Sequence, residues 1–460
     1  MAYRYLIWFC QECPAFRLAE FEALLTLFKC EAKICCPNKE KPFLVVQSNQ
    51  REDEEKLIQV TKRSVCVRSL IHLWADSTSR EALFSQLKNC EFIKQKEYAG
   101  KERSFRINVD TYGKKITLQT KVDKIEELAF LPFEGPINLN KPDNSFQLIE
   151  YYGLLSNSAP DEPYELYFGR WLADGGRRFS LDVSLKERKF ISNTSMVPWL
   201  TAIMSNLALV KDGDVVIDPF VGSGSLLIAA AKFGAYTIGS DIDYLLLHGK
   251  RKPSRRYVKQ RDPDESVFAN FAQYEITSQY LDVIVSDASK PCWRPFEFDA
   301  IITDPPYGIR ENSRKIGTDK YDMTYKVPEE YIDCHYPSKV LYRFEDILKD
   351  LFALALKNLK IGGRLVFWIP RITDYKMEDS LPHHPSFKLI SCCNQDMKLN
   401  VSRVLACYEK LSNESNNEIF IPYVIKNFRE LYFTGIAELN DTKQERQAKH
   451  RQFLGQKEMN

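Results

Sequence analysis

The sequence predicts an α/β protein whose C-terminal two-thirds form a doubly wound, parallel sheet, preceded by a smaller α+β region. Three observations carry this. From Val215 onward, short apolar runs alternate with helical stretches at βαβ intervals. Two of the strand ends in that stretch carry Gly-rich or Pro-rich motifs. The first third mixes strands and helices irregularly and holds no obvious catalytic constellation. A length of 460 residues accommodates two or three domains, and 44% hydrophobic with 27% charged residues is ordinary for globular chains. Sixty-four Lys+Arg against 62 Asp+Glu leave a net charge of +2, which excludes a protein that coats nucleic acid through bulk charge.

Taken in order, Tyr3–Phe9 and Phe43–Val46 are strand-like, and Leu18, Phe21, Leu24, Leu25 and Phe28 between them recur at helical spacing. The pattern predicts a helix over Leu57–Trp74 and another over Arg80–Leu87 after a Ser-Thr-Ser cap. A strand at Ser104–Val109, a helix at Lys121–Leu128 and a strand at Phe146–Tyr151 follow. Around 153–180 the pattern breaks into Gly, Pro and charge, which places the first domain at 1–170 and a linker at 171–200. The second domain, 201–440, opens with strand Val215–Ile217. Next come helix Leu226–Phe233, strand Tyr236–Gly239, helix Val267–Tyr274, and strands Leu281–Val285 and Phe298–Thr303. Helix Phe344–Leu359 leads through Ile361-Gly362-Gly363 into strand Leu365–Ile369, with strand-like runs at Phe387–Ser391 and Val404–Tyr408. A polar tail, 441–460, closes the chain.

No apolar stretch reaches the ~18–20 residues of a membrane span, and the N-terminus lacks a small-residue cleavage site. Cys10-Gln11-Glu12-Cys13 is formally a CxxC, yet no second Cys/His pair at zinc-ligand spacing accompanies it. The 12 cysteines therefore read as thiols of a reducing compartment, and no metal site is expected.

The first motif is Asp218-Pro219-Phe220-Val221-Gly222-Ser223-Gly224-Ser225, after a strand and opening a helix. Its glycines let the backbone approach a ligand at the sheet's carboxyl edge. A dinucleotide site would place a third glycine where Leu227 stands. The acid before the turn would repel phosphate but attract an ammonium or sulfonium, so S-adenosylmethionine fits better than NAD. Asp241 ends the next strand 23 residues later, where a carboxylate can accept from ribose hydroxyls, with Asp243 as the alternative. Asp287 and Ala288, after the third strand, suit an adenine amine.

The second motif is Asp304-Pro305-Pro306-Tyr307-Gly308 at the end of Phe298–Thr303. Two prolines stiffen the turn. Asp304 and the Pro305 carbonyl can accept from an exocyclic NH₂, and Tyr307 can stack on the ring that bears it. Pointing an amine at a sulfonium methyl makes the transfer largely a matter of positioning, with Asp304 accepting the proton. The roughly 35 residues at 309–343 suit a lid or substrate clamp. Residues 250–261 hold seven Lys or Arg and no acid. That run suits phosphate contacts or a solvated insertion equally, with Tyr257 or Trp171 available to stack. Arg170, Arg177, Arg178 and Lys189, around the junction, are the RNA-binding candidates.

The series FGRWLADGGRRFSL, KFISNTSM, DPFVGSGSLL, GSDID, SDAS and DAIITDPPYGIRE resembles, in that order, the S-adenosylmethionine-dependent tRNA methyltransferases with a THUMP domain, nearest to those acting on the 2-amino group of guanine 10. The resemblance implies a ferredoxin-like plus THUMP region before a Rossmann-like class I methyltransferase domain with a mostly parallel seven-stranded sheet. It implies that Asp218, Gly222 and Gly224 cradle the cofactor's amino acid end, and that Asp241 holds the ribose and Asp287 the adenine. Asp304 to Tyr307 then take the guanine, and Thr194 and Ser195 touch the cofactor. It also implies a small zinc-binding activator subunit. The lack of a signal peptide and of a membrane span points to a cytosolic or nuclear chain, with the cytoplasm the expected location. Phe190 stands where Tyr is expected in many relatives, which removes one possible hydrogen bond. Rival readings are a DNA adenine or cytosine amino-methyltransferase, disfavoured by the absence of a helix-turn-helix signature, and a non-catalytic RNA-binding protein, disfavoured by the intact Asp304 and glycines.

Overall fold

In a computed structural model of the protein, the described residues are 3–429 apart from 36–37, 39, 256–257, 295, 309–312, 319–327, 330–335, 374, 378–379, 398–400 and 415–417. The chain divides into two compact units, the first ending at Phe179 and the second starting at Ser180.

The first unit is built on one seven-stranded sheet. In chain order its strands are β1 Tyr3–Phe9, β2 Lys33–Cys35, β3 Phe43–Ser48, β4 Val67–Ser77, β5 Phe105–Tyr112, β6 Asn144–Tyr151 and β7 Glu165–Asp174. They lie in the order β2-β3-β1-β4-β7-β6-β5, and all neighbours are antiparallel except β5 and β6. Two expectations are corrected here. The helix expected over Leu57–Trp74 is a helix Asp53–Arg63 followed by β4. Ser64 makes the break: its Oγ accepts from the amides of Cys66 and Val67, at 3.2 and 3.0 Å, and this local bonding competes with further helix. The apolar run after it then satisfies period 2 inside a sheet. The second correction concerns the junction, since β7 runs through position 170. Its glycine, Gly169, is there because a Cβ would lie 2.1 Å from the His72 carbonyl on β4.

The second unit holds β8 Val215–Asp218, β9 Tyr236–Asp241, β10 Tyr280–Val285, β11 Phe298–Thr303, β12 Arg314–Ile316, β13 Lys339–Leu341, β14 Leu359–Ile372, β15 Phe387–Asp396 and β16 Val401–Lys410. Seven of these form the sheet β10-β9-β8-β11-β14-β16-β15. The first five pair in parallel, and β16 pairs antiparallel with both neighbours. The second unit is α/β with a mostly parallel seven-stranded sheet, as expected. Strand β14 shows why the sheet is buried on both faces. Leu365, Phe367 and Ile369 pack with Ile347, Leu348, Leu351 and Phe352 of the helix Phe344–Asn358. The alternate residues meet the helix Pro198–Leu207: Trp368 Nε1 lies 3.2 Å from Met204 Sδ, and Arg364 donates to the Leu207 carbonyl at 2.7 Å. That second helix falls across the expected linker boundary at 200. Its signal was present in the sequence as Pro198 at the first helical position with Leu200, Ile203, Met204 and Leu207 on one face.

The turn from helix to β4 in the first unit depends on a buried acid. Glu20, fully buried, accepts from Ser64 Oγ at 2.5 Å and from the amides of Val65 and Cys66 at 3.1 and 3.0 Å. Glu20→Ala strands three buried donors and should cost about 3 kcal/mol, read as a shift in the denaturant midpoint of the full chain.

Candidate functional site

The strand order of the second unit reverses at β8, which has β9 on one side and β11 on the other. In open parallel sheets a crevice forms at such a switch point, outside the carboxyl ends of the strands. Asp218 ends β8, Asp241 ends β9, Asp287 follows β10 and Asp304 follows β11. All four predicted acids therefore stand on one edge. Thr303 Oγ1 donates to Asp218 Oδ1 at 2.7 Å, as does the Phe220 amide at 3.0 Å, so the two motif strands are fastened side by side.

The Gly-rich turn has the backbone its residues require. Gly222 and Gly224 have φ of +51° and +78°, and a Cβ on Gly224 would sit 2.6 Å from Val267. Nothing lies within 4 Å of a Cβ built on Gly222, so the space above the turn is open to a ligand. Asp241 accepts from the Gly222 amide and, with its other oxygen, from the Asp243 amide, both at 2.9 Å. Asp243 instead caps the short helix Tyr244–Leu247, accepting from Leu246 N at 3.1 Å, and pairs with Arg251 at 2.5 Å. Asp241 thus faces the turn, and Asp243 is engaged in capping. Asp287, buried, accepts from the amides of Ser289 at 2.9 Å and Ile316 at 2.6 Å, tying β12 to the end of β10 beside Ala288. Ser195 Oγ meets Ser223 Oγ of the turn at 2.6 Å, whereas Thr194 is exposed and contacts Ser192. Pro219 is buried and Phe220 half-buried at the turn's start.

Around the second motif, Tyr307 Oη donates to Asp304 Oδ1 at 2.5 Å, and Arg403 of β16 donates to Asp304 Oδ2 at 3.1 Å. Ser313 donates to the Pro306 carbonyl at 2.9 Å, and Pro305 is buried. Tyr307 packs edge-on against Phe344 at 5.8 Å between centroids. A cavity of about 460 Å³ opens beside it, lined by Tyr307, Gly308, Tyr342, Phe344, Ile425 and Phe428. Burial pushes the Asp218 carboxyl up to about 7, opposed by the Thr303 and Phe220 hydrogen bonds and reinforced by the charges of Asp241 and Asp304. Burial also raises Asp241, and raises Asp304 against the pull of Arg403.

The basic candidates part company. Arg177 and Arg178 are exposed, and Arg177 pairs with Glu12 at 2.9 Å. Arg170 is only 22% exposed, pairs with Glu54 at 2.7 Å and lies over Tyr98, a structural setting. Lys189, half-exposed, pairs with Asp264 at 3.1 Å. Within 250–261, Arg255 donates to the carbonyls of Leu185, Lys186 and Arg188, and Arg261 to those of Ile191, Arg251 and Lys252. Arg255 and Arg261 thus brace the 185–191 segment, while Arg251 pairs with Asp243. Trp171 donates to Asp174 at 3.1 Å. Tyr257, most of the 309–343 segment and the tail 441–460 lie outside the described residues. Phe190 is fully buried under the Arg261 guanidinium, its backbone gripped by Asn270, so an apolar ring suits the position.

The sequence reading missed Arg403, Gln395 and Trp368, which come from the antiparallel strands and from β14, far from either motif. Arg188, which in the sequence is one more basic residue of the junction suited to phosphate contacts, is fully buried and donates to Ser225 Oγ at 3.0 Å and to the Val183 carbonyl at 2.8 Å behind the Gly-rich turn.

The chain matches two family models: "Tmrp11 THUMP N-terminal domain" over residues 3–177 and "RMKL-like, methyltransferase domain" over residues 186–333. It is 42% identical over 451 residues to the tRNA (guanine(10)-N(2))-methyltransferase TRMT11 of Homo sapiens and, equally, to that of Pongo abelii, covering 95% of this chain and 96% of each relative. The Dictyostelium discoideum relative of the same name is 33% identical, covering 89% of this chain and 82% of its own.

A cation arriving at this edge favours ionised Asp218, whose proton is otherwise held up to about pH 7. Binding of S-adenosylmethionine near pH 6 should therefore release a proton, and Asp218→Asn should abolish that release. Calorimetry in two buffers of different ionisation enthalpy measures it, and an identical heat in both buffers for the wild type would contradict the assignment.

Proposed function

The chain belongs to the tRNA (guanine(10)-N(2))-methyltransferase family, and from that membership and the site geometry we propose that it methylates the 2-amino group of guanosine 10 in tRNA. The observation that carries the reading is the edge itself: the Gly-rich turn and the Asp304–Tyr307 bracket are joined side by side through Thr303 and Asp218. S-adenosylmethionine, the methyl donor, supplies a sulfonium whose methyl carbon bonds to the amine nitrogen as the C–S bond breaks and its electron pair stays on sulfur. Among the chain's own residues, Gly222 and Gly224 keep the turn low and open for the amino acid end, and Asp241 offers its remaining lone pairs to ribose hydroxyls. Asp287 keeps lone pairs beyond its two amide bonds for the adenine amine, and Ser195 braces the turn through Ser223.

The target amine loses a proton once it carries the methyl, and Asp304 is the base placed to accept it. The nucleotide leaves its stack to enter the cavity at Tyr307, because a stacked base cannot present its amine in line. Neither rival fits as well. A DNA enzyme leaves the THUMP unit unexplained, and a non-catalytic protein leaves a base, an aromatic bracket and an open glycine turn assembled without use.

Three finer assignments belong to the same reading. A small zinc-binding activator docks on the methyltransferase unit. The outer strand β10 offers an open edge with exposed Leu281 and Val285, the type of surface a partner covers. Free thiols at every described cysteine fit the cytoplasm. Exposed Arg177 and Arg178 take tRNA phosphates.

In cells lacking the chain, nucleoside mass spectrometry of tRNA should show loss of N2-methylguanosine, restored by the wild type and not by Asp304→Ala. An unchanged level in the deletion would refute the function. Charge reversal at Arg177 and Arg178 should weaken tRNA binding and flatten its dependence on salt by roughly two phosphate contacts. An unaltered slope would assign both residues to the fold.

A further inference from the structure

We propose that Arg403 is a positioning residue for methyl transfer: clamped by Trp368 and Gln395, it keeps the Asp304 carboxylate ionised and aimed along the sheet edge. The inference rests on the reading of Asp304 as the proton acceptor.

Arg403 lies on β16, an antiparallel strand that carries neither motif. Its register neighbours are Pro370 on β14 and Gln395 on β15, so its side chain must cross β14 to reach the end of β11. Three separate contacts hold it there. Its guanidinium lies 3.9 Å from the centroid of the Trp368 ring, its Nε donates to Gln395 Oε1 at 2.7 Å, and its Nη1 donates to Asp304 Oδ2 at 3.1 Å. Trp368 is itself fully buried, and its Nε1 faces Met204 Sδ on the far side. The Arg403 side chain is 15% exposed. A long side chain fixed at the stack, the Nε and the fork has little rotamer freedom left. A surface ion pair formed by chance does not look like this.

The surroundings of Asp304 show why such a clamp is needed. The ionisable groups that face it are the Tyr307 hydroxyl from its own loop, Asp218 from β8 and Arg403 from β16. Burial favours the neutral acid, and Asp218, when ionised, favours it too. Arg403 is the cation that faces Asp304 among the described residues: burial raises the carboxyl's affinity for a proton, and the Arg403 charge is the largest influence that pulls it back. A protonated Asp304 cannot accept the proton that the methylated amine must lose. Arg403 also divides the two oxygens. With Oδ2 tied to the guanidinium, Oδ1 is left to meet the substrate, shared with the Tyr307 hydroxyl.

The test is a pH–rate profile of the full chain on transcribed tRNA, for wild type, Arg403→Gln, Arg403→Lys and Asp304→Asn. Arg403→Gln should move the acid limb up by about one unit, lowering kcat by up to about tenfold on that limb, so that raising the pH recovers activity. KM for tRNA should stay within about twofold. Arg403→Lys, which keeps the charge but loses the fork, should hold the limb near its wild-type position with a smaller loss of kcat. If Arg403→Gln lowers kcat equally at every pH, Arg403 is a structural staple and the inference fails. Should Arg403→Gln not fold, the Arg403→Lys profile and that of Gln395→Leu decide: a limb displaced as far with the charge retained as expected without it also sinks the idea. Asp304→Asn separates the two claims. If it remains active, the base assignment falls and this inference with it. If it is inactive while the Arg403→Gln limb stays put, the inference alone is overturned.

Discussion

The hydrogen bond from Thr303 to Asp218 is a small contact on which the arrangement of the site depends. It joins the ends of two strands that lie side by side in space but 85 residues apart in sequence. Strand β8 carries the Gly-rich turn and β11 carries the Asp-Pro-Pro-Tyr bracket, so their parallel pairing sets the spacing between the two motifs. The pairing itself is short, Ala300 with Val216 and Ile301 with Ile217. A ladder of two residues tolerates rotation of the strand ends. A buried carboxyl accepting from both Thr303 and the Phe220 amide removes that freedom where the chemistry is sensitive to it, since ångström-scale misplacement of reacting groups costs rate.

This arrangement has an electrostatic cost. Asp218, Asp241 and Asp304 crowd one low-dielectric edge, and each is raised by burial. The chain manages them in different ways. Asp218 is satisfied by neutral donors and holds its proton near neutrality. Asp241 is shared between two backbone amides. Asp304 is hydrogen-bonded to a full positive charge, Arg403, whereas Arg251 acts on Asp241 only through space. Asp304 is thus held apart from the others by its direct cation, and a cationic ligand at this edge would bring a countercharge to Asp218, whose direct partners are neutral donors. The near-zero net charge of the whole chain is consistent with this local division of sign.

Both motifs were legible because each couples a strand end to residues with a narrow conformational purpose. Glycine is needed at φ of +78° beside Val267, and two prolines stiffen the turn after Thr303. The strands β9, β10 and β11 were legible for the same local reason, as apolar runs bounded by turns. Leu57–Trp74 misled because its apolar residues satisfy both period 3.6 and period 2, and the choice was made by Ser64 and Glu20, which are 44 residues apart. Strand β7 was hidden by its charges and by Gly169, whose small size answers to a carbonyl on another strand. Arg255 and Arg261 read in one dimension as phosphate ligands or as part of a solvated insertion, and in three dimensions they buttress backbone carbonyls.

Arg403 belongs to the same class of residue that local reading cannot reach. Nothing near Val-Ser-Arg-Val-Leu distinguishes it from any arginine on an edge-proximal strand. Its place follows only once β16 is inserted antiparallel between β14 and β15, which aligns it with Pro370 on one side and Gln395 on the other. The antiparallel strand is therefore more than a way to close the sheet. Running against β11 and β14, it brings its N-terminal half to the edge where the parallel strands end, and it can deliver a side chain there without another loop. The parallel strands supply the acids of the site from their carboxyl ends, and the reversed strand supplies the opposing charge from near its start.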